Sequence, residues 1–496
     1  MNTIHGIILT ESSGLGSGLR PYGAYCVANE LRSNGYNILV INYISHINHS
    51  ILELILRKYI TESTLFLGYS SSLFISSFFK NDVSPLSNDS FEKLNALAKE
   101  LNPKIQVIYG GANSKRLSTY NLRHNTSLGV DYVMHGFSEK MIVDFVKNLQ
   151  TGSIQNVSKK VLRLSEIDYD FKGTLFDFHN SRHHWANEDI IGTNEALPLE
   201  VARGCIFKCK FCAFPLLGKN PNDSSYFKKE ENLKREMLEN YERFQTKTYF
   251  IVDDTFNERT EKIEMMLRIR DSLKIDFNFV GYNRLDLIAR KKEHLPLLKD
   301  LNFNGMYFGI ESMHLPSAKS IGKGLGPEEI KENIFKIKDY FPSCSITGSF
   351  IVGLPYETPE TFESWIKWVT DKDCPIDSLN FGPLGLMYNS FTPSEFSKDP
   401  EKYGYTLVGN LGAWKNQYWT SEECRNIAEQ LTKTCHDNGR TKVPSFVAVN
   451  LLKLGYDFNS IIKMSLKDIP VNDIDSKMKN FVMSYTQKIL NLSNKK

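Results

Sequence analysis

Three cysteines fall within eight positions of this 496-residue chain, at Cys205, Cys209 and Cys212. Thiolates are the usual ligands of iron–sulfur clusters, and a four-iron cluster normally takes four of them. Three thiolates on one short loop would hold three irons and leave the fourth open, as catalytic metal sites do. The alternatives are a structural zinc site and chance clustering. Zinc would need a fourth ligand, and His183 and His184 upstream do not complete a familiar spacing.

The rest of the composition excludes several classes of protein. The net charge of +3 is small for this length and points to neither nucleic acid nor a membrane surface. The start of the chain lacks the pattern of a signal peptide, and the most apolar stretch, residues 64–79, is too short and interrupted to span a membrane. The other five cysteines are scattered, which is not a disulfide framework. We therefore expect a protein of the reducing cytoplasm.

The cysteines are positioned by a series of alternating strands and helices that begins at Pro198. Six strands rich in apolar residues alternate with amphipathic helices as far as about residue 395. This pattern predicts a partial (β/α)6 barrel of the TIM type, in which functional residues gather at the carboxyl ends of the strands. The cysteine loop directly follows the first of these strands.

A separate α/β region precedes the barrel. Residues 1–151 alternate Val-, Ile- and Leu-rich strands with amphipathic helices, which predicts a doubly wound, Rossmann-like parallel sheet. Ligands of such sheets bind outside the carboxyl ends of the strands. That rule brings four segments around one crevice, namely Ser12–Gly23, Ser70–Ser72, Gly110–Asn113 and His135–Glu139. Residues 152–195 are interpreted as a linker, 196–395 as the barrel, and 396–496 as a mainly helical C-terminal cap or substrate region.

The segment RGCIFKCKFC resembles the CxxxCxφC signature of the radical S-adenosylmethionine (SAM) superfamily, with Phe211 as the aromatic residue before the last cysteine. The resemblance implies a 4Fe–4S cluster whose unique iron chelates the methionine part of SAM. It also implies reductive cleavage of SAM to a 5′-deoxyadenosyl radical, which then abstracts a hydrogen atom from the substrate. In such enzymes the cofactor carries the difficult chemistry, and the protein orients it.

The same resemblance gives roles to polar residues at the strand ends. Asp253 and Asp254 close the second strand, where the family places polar SAM contacts. Arg284 would pair with the SAM carboxylate, for which the guanidinium fork is suited. Glu311 would accept from the ribose hydroxyls or the amino group. The alternative for each acid is a solvated loop residue or a helix cap, as Asp254 could be for the helix that follows.

The fifth strand, GSFIVGLPYET, resembles the adenine-contacting strand of the family, although its spacing departs by one residue from the usual Gly-x-Ile-x-Gly form. Gly353 would let the backbone approach the adenine, and Ile351 would offer an apolar face. Lys323 resembles a Lys-Gly pair that the family often has after the fourth strand. For Lys323 we expect a flexible surface loop.

The N-terminal region resembles the cobalamin-binding domain of one radical SAM class, through FLGYSSS, VIYGGAN and VDYVMHGFSE among other stretches. The Asp-x-His-x-x-Gly motif that supplies a histidine to cobalt is absent, as it is in many members that still bind cobalamin. His135 has the wrong spacing to replace it. The alternative is a doubly wound domain that binds no cofactor.

These resemblances lead to one preferred function and two alternatives. The preferred function is cobalamin-dependent transfer of a methyl group to an unactivated carbon. A non-methylating oxidoreductase or rearrangement enzyme of the same superfamily comes second, and a non-catalytic iron–sulfur sensor is last. A methylthiotransferase would need a second cluster on N-terminal cysteines, and only Cys26 lies there. An electron donor such as flavodoxin or ferredoxin is the expected partner, and the sequence does not identify the substrate.

Overall fold

The computed structural model describes residues 3–12, 18–74, 88–111, 129–151, 161–162, 176–213, 216–386, 393–409 and 412–492. The chain divides into two compact units. The first unit comprises Met1–Asp177, His183–Gly192 and Asn472–Lys496, and the second comprises Phe178–Arg182 and Thr193–Val471. The boundaries that the sequence analysis gives to the functional domains stay a prediction.

The first unit is built on a six-stranded parallel sheet in the order β2-β1-β3-β4-β5-β6. The strands are β1 (Gly6–Leu9), β2 (Ile38–Ile41), β3 (Phe66–Ser70), β4 (Gln106–Gly111), β5 (Tyr132–His135) and β6 (Val161–Leu162). The first two strands are buried along their whole length, as expected for a sheet covered on both faces. Because β1 lies between β2 and β3, the connections change direction at the β1/β3 edge, where doubly wound sheets bind ligands.

Helices accompany these strands as predicted for a doubly wound sheet. They are α1 (Tyr22–Ser33), α2 (His49–Tyr59), α3 (Asn88–Leu101), α4 (Glu139–Thr151) and the last helix of the chain, α16 (Val471–Asn491). The sequence analysis missed α2 and β6, and β6 lies inside the predicted linker. From α16, Tyr485 packs edge-on against Tyr43, and its hydroxyl accepts a hydrogen bond from Asn42 N (3.0 Å).

The second unit is built on six parallel strands in the order β12-β11-β10-β9-β8-β7. The strands are β7 (Leu197–Leu199), β8 (Thr248–Ile251), β9 (Asn278–Asn283), β10 (Gly305–Glu311), β11 (Ser345–Val352) and β12 (Ser378–Pro383). Each strand pairs with the next one along the chain, which is the connectivity of a β/α barrel. Both sheets confirm the predicted fold class.

The helices of this unit follow the strands in order. They are α5 (Glu230–Phe244), α6 (Thr260–Leu273), α7 (Leu285–Arg290), α8 (His294–Asp300), α9 (Leu315–Ser320), α10 (Pro327–Tyr340) and α11 (Pro359–Thr370). Beyond β12 come α12 (Glu395–Lys398), the antiparallel pair β13 (Thr406–Val408) and β14 (Ala413–Lys415), α13 (Ser421–Asp437), α14 (Ser445–Leu451) and α15 (Phe458–Ile461). None of the helices in the described residues is long and apolar enough to cross a membrane.

The two faces of the second sheet differ in character. On the face that packs against the helices, Tyr249 reaches α5 and Phe350 stacks on Trp365 of α11, and all these rings are buried. Residues of the opposite, concave face alternate with them and remain accessible, for example Tyr282, which is 40% exposed. In a complete TIM barrel side chains fill this interior, so the concave face is the place for a ligand.

Candidate functional site

The cysteine loop begins directly after β7 and folds back on itself. Cys205 N donates to Leu216 O (3.2 Å), and Lys219 N donates to Cys205 O (3.0 Å). Gly204 permits this turn because its φ is +105° and a Cβ there would lie 2.8 Å from Leu216 O. Further along, Cys212 N donates to Cys209 O (3.0 Å). Local backbone bonds therefore shape the loop that carries the three thiols.

The three thiols have different surroundings. Cys205 is buried, its Sγ lies 3.6 Å from the hydroxyl of Thr255, and burial together with nearby Glu258 raises its pKa to about 11. Cys209 and Cys212 are partly exposed. Among the residues that the structure describes, no three His, Cys, Asp or Glu side chains form a ready metal-binding group, so cluster ligation stays a prediction. The donor set fits a cluster chemically, since thiolates on one short loop are its usual ligands.

Arg284, at the end of β9, lies next to the cysteine loop. Its Nη1 donates to Cys209 Sγ (3.4 Å), and its guanidinium lies 3.8 Å from the centre of the Phe207 ring. Nε and Nη2 donate to the two oxygens of Asp286 at 2.9 and 2.7 Å. Asp286 thus accepts the pair of guanidinium hydrogen bonds that the sequence analysis assigns to the SAM carboxylate. The Nη1 edge faces the loop.

Asp253 and Asp254 follow β8 but have different environments. Asp253 is buried, its Oδ1 accepts from Val201 N (2.8 Å) and Ala202 N (3.0 Å), and its Oδ2 accepts from Lys262 (3.0 Å). Both its oxygens are therefore engaged within the protein. Asp254 is partly buried, and burial, then Asp253 and Glu258, raise its pKa to about 7. The predicted SAM contacts of both acids stay predictions.

Glu311 ends β10 in a left-handed conformation, with φ +69°. An irregularity in the pairing with β11 lies at this point. The carboxylate folds back over Gly309, where a Cβ would be 2.3 Å from Oε1. Lys323 Nζ donates to Gly309 O (2.8 Å) and lies 3.9 Å from Glu311 Oε1. Lys323 is thus largely buried at the site, and the expectation of a surface loop was wrong.

The end of β11 holds the residues predicted to contact adenine. Ile351 is partly exposed on the concave side. Gly353 has φ +91°, and a Cβ there would lie 2.6 Å from both Cys424 Sγ and Trp414 Cη2. Tyr405 donates to Gly353 O (2.8 Å). Glycine is therefore required here by close packing against the C-terminal region, and the adenine contact stays a prediction.

Glu357 was missed by the sequence analysis, although it ends the GLPYE segment just after a strand. Its Oε1 accepts from Ser312 Oγ (2.8 Å) and Trp365 Nε1 (3.1 Å), while Oε2 is buried without a hydrogen-bond partner among the described residues. Burial raises the pKa of Glu357 to about 7. It is therefore a carboxyl that is half protonated near neutral pH.

The concave face carries a continuous row of aromatic and amide groups. The centre of the Tyr282 ring lies 5.8 Å from that of Phe250 and 4.8 Å from that of Tyr307. Asn380 donates to Tyr307 OH (2.9 Å) and Ser349 Oγ (3.2 Å). Tyr282 and Asn380 are exposed, and the row contains no charged side chain.

In the first unit, hydroxyl groups gather at the β1/β3 edge. Thr10 Oγ1 lies 2.9 Å from Ser72 Oγ, which donates to Ser70 Oγ (3.0 Å). Gly111 at the end of β4 has φ +121°, and a Cβ there would lie 2.4 Å from Ser71 Oγ. Ser70–Ser72 and Gly110–Gly111 thus meet at one edge, as predicted. Residues 13–17 and 112–113 of the predicted crevice, and the side chain of His135, lie outside the described residues.

Comparison with known proteins agrees with this geometry. Residues 199–369 match the family model of the Radical SAM superfamily. An uncharacterized methyltransferase of Pyrococcus horikoshii is 27% identical over 302 residues, which are 58% of this chain and 61% of that protein. A ribosomal protein uS12 methylthiotransferase of Crocosphaera subtropica is 24% identical over 304 residues, 58% of this chain and 68% of its own length. The match therefore spans about three-fifths of the Pyrococcus relative.

Solved structures extend the similarity to the whole fold. The radical SAM methyltransferase TsrM from Kitasatospora setae, described with cobalamin and a 4Fe–4S cluster bound, has a TM-score of 0.65 at 13% identity, covering 97% of this chain and 100% of its own. The cobalamin-dependent SAM radical enzyme OxsB has a TM-score of 0.61 at 12% identity, covering 99% of this chain and 80% of its own. At these identities the likeness concerns the fold.

The strand series, the cysteine loop and the family match define a radical SAM domain at residues 199–369. The chain is similar in fold to the radical SAM methyltransferase TsrM and to the cobalamin-dependent SAM radical enzyme OxsB. The predicted superfamily is thereby confirmed for residues 199–369, and the N-terminal region shares the fold of the class that it resembles.

Proposed function

We propose that the chain is a radical SAM enzyme in which Cys205, Cys209 and Cys212 hold a 4Fe–4S cluster. The observation that carries the proposal is the hydrogen bond from Arg284 to Cys209 Sγ. It joins two positions, 75 residues apart, that were predicted separately as SAM contact and cluster ligand. The bond thus places a cationic side chain directly against one of the proposed cluster ligands.

Bound there, the cluster would supply the electron that cleaves SAM to methionine and a 5′-deoxyadenosyl radical. The chain's own residues would bind and orient SAM. Arg284 presents its Nη1 edge beside Cys209, and Glu311, held by Lys323 across Gly309, would accept from the amino group or ribose. Phe211 and Ile351 would contact the cofactor through apolar surface. Asp254 would offer a further polar contact.

The substrate would lie on the concave face of the second sheet. The row formed by Phe250, Tyr282, Tyr307, Ser349 and Asn380 offers three rings, three hydroxyl groups and one amide, and no charge. We therefore infer an uncharged, largely apolar group at the reacting end of the substrate.

For the first unit we propose cobalamin binding at the β1/β3 edge. The side chains at this edge are small hydroxyl groups and the glycines Gly110–Gly111, which would let a large ligand approach the backbone, and the edge is the switch point of the sheet. Together with SAM, cobalamin would support methyl transfer to carbon. The second candidate is a non-methylating radical SAM reaction. Reduction by flavodoxin or ferredoxin in the cytoplasm stays a prediction.

One assay tests these proposals. The chain is reconstituted anaerobically with iron, sulfide and cobalamin, then given SAM and a low-potential reductant, and the products are measured. Both S-adenosylhomocysteine and 5′-deoxyadenosine are expected. Deoxyadenosine without the homocysteine would favour the second candidate, and absence of both would contradict the radical SAM assignment. The Cys209→Ala variant should lose cleavage, whereas Cys374→Ala, at a buried free cysteine outside the loop, should retain it.

A further inference from the structure

Lys262, on the first turn of α6, is fully buried. Its ammonium donates to Asp253 Oδ2 (3.0 Å), Glu258 Oε1 (3.1 Å) and Thr255 O (2.8 Å). These three bonds use all the donors that a lysine has. A buried ammonium is tolerated only when it is paired and hydrogen-bonded in this way.

Both carboxylates also hold the backbone around Cys205 with their second oxygen. Asp253 Oδ1 accepts from Val201 N (2.8 Å) and Ala202 N (3.0 Å), upstream of the cysteine. Glu258 Oε2 accepts from Ile206 N (3.2 Å), immediately after it. The cysteine is thus fixed on both sides by acceptors that share one lysine.

Thr255 adds a third link between the lysine and the cysteine. Its carbonyl oxygen accepts from Lys262, and its hydroxyl lies 3.6 Å from Cys205 Sγ. The aromatic rings of Phe227 and Phe256 lie 5.4 and 5.6 Å from the ammonium. Without the cation, two buried carboxylates would face each other in apolar surroundings, where like charges repel strongly.

We propose that Lys262 is a positioning residue for Cys205, acting through Asp253, Glu258 and Thr255. The lysine pairs with both carboxylates and holds them in place, so that their other oxygens fix the amides of Val201, Ala202 and Ile206. Asp253 then serves to anchor the loop instead of contacting SAM. The inference that this anchoring tunes a cluster rests on the proposed function, whereas the anchoring itself does not.

The test compares Lys262→Met with a matched control, Lys338→Met. Lys338 also pairs with a buried aspartate, Asp377, whose carboxylate accepts from Ile346 N (2.9 Å) near the start of β11. The control therefore removes a lysine–aspartate pair at the amino end of a strand, although Asp377 keeps a second lysine partner, Lys442 (2.8 Å). Two readouts are used on the reconstituted full chain: hydrogen–deuterium exchange of the peptide covering 200–213, and the electron paramagnetic resonance spectrum of the reduced protein.

In Lys262→Met, the amides of residues 201–206 should exchange at least about tenfold faster, since hydrogen bonds to charged acceptors are lost. The cluster spectrum should change in g values or broaden. Lys338→Met should speed exchange near Ile346 and leave both the 200–213 peptide and the spectrum as in the parent. Unchanged exchange at 201–206 in Lys262→Met would overturn the proposal, as would an equal effect of Lys338→Met on that peptide.

Glu258→Gln provides a milder variant in case Lys262→Met does not fold. A glutamine cannot accept from both Lys262 and Ile206 N with one oxygen in the same geometry, so one link weakens while the lysine stays. Faster exchange confined to residues around Ile206 is expected, and its absence would contradict the proposal. If the parent chain binds no iron, the proposed function fails, but the exchange experiment still decides the anchoring.

Discussion

Replacing Arg284 by Met separates what this residue does for the fold from what it does for the chemistry. The guanidinium and the Asp286 carboxylate are both largely buried and joined by two short hydrogen bonds. Removing one partner of such a pair typically costs about 3–5 kcal/mol, because the other charge is left uncompensated. Lys323 and Arg290 still favour the charged form of Asp286. We therefore expect the lower end, about 3 kcal/mol of unfolding free energy.

The double variant Arg284→Met/Asp286→Asn removes the stranded charge as well. Its stability should return to within about 1–2 kcal/mol of the parent, since the remaining losses are the packing of the guanidinium on the Phe207 ring and its hydrogen bond to Gly322 O (3.2 Å). Cleavage of SAM should nevertheless stay low, because Cys209 Sγ no longer has its donor. Stability and chemistry are thus expected to separate in this variant.

Unfolding is followed by tryptophan fluorescence under anaerobic denaturation, because four of the five tryptophans (Trp365, Trp368, Trp414 and Trp419) lie in the second unit. Cleavage is followed as 5′-deoxyadenosine formed per chain. A double variant that regained both stability and the parent's cleavage rate would refute the reasoning, because Arg284 would then serve the fold alone. A single variant as stable as the parent would refute the buried-pair argument.

Three further predictions concern other parts of the molecule. The pKa of Glu357 is about 7 in the folded protein, above its ordinary value of 4.5, so folding favours the protonated carboxyl. The unfolding free energy therefore falls as the pH rises from about 4.5 to 7. The full loss is about 3 kcal/mol, most of it between pH 5 and pH 8. Over that range the melting temperature of Glu357→Gln should therefore rise relative to the parent by several degrees, and a pH-independent difference would contradict this. Measured by denaturation, Gly353→Ala should lower the unfolding free energy by about 2 kcal/mol or more, because the residue has a left-handed φ and a Cβ would clash with Cys424 and Trp414. The same change at Gly382, where a Cβ has no atom within 4 Å, should have little effect. After desalting, the chain should retain about one hydroxocobalamin, measured by its absorption spectrum. Replacing all three loop cysteines by Ala should leave that retention unchanged, since the β1/β3 edge lies in the other unit. Loss of retention in the triple variant would argue against a site at this edge.

The sequence predicted the parts of the fold that repeat. Val-, Ile- and Leu-rich strands alternating with amphipathic helices led to both parallel sheets, because buried parallel strands have an unmistakable apolar pattern. The two-residue strand β6 was missed because so short a segment carries no periodicity. The helix α2 was missed although Asn48 caps it, with its side chain accepting from Ser50 N (3.0 Å).

The site was only partly predictable, for a different physical reason. The spacing of the cysteines is local, so the sequence shows it directly. Which acid is buried depends on tertiary contacts. Asp253 and Asp254 are neighbours, yet only Asp253 accepts a hydrogen bond from Lys262, nine residues further on. The burial of Glu357 likewise depends on its packing against Ser312 and Trp365, whereas Arg284 and Asp286 form a local pair two residues apart. The family resemblance identified Asp253, Asp254 and Arg284 as site positions, and it did not identify Glu357. It gave the hydrogen-bond partners of none of them.

The central claim is that three cysteines hold a cluster with one iron open to SAM, and Mössbauer spectroscopy of the chain reconstituted with ⁵⁷Fe tests it most directly. About four irons per chain with cubane parameters are expected, and on addition of SAM about one quarter of the signal should shift, as one iron gains new ligands. A chain that binds no cubane, or a cubane whose four irons ignore SAM, would contradict the account.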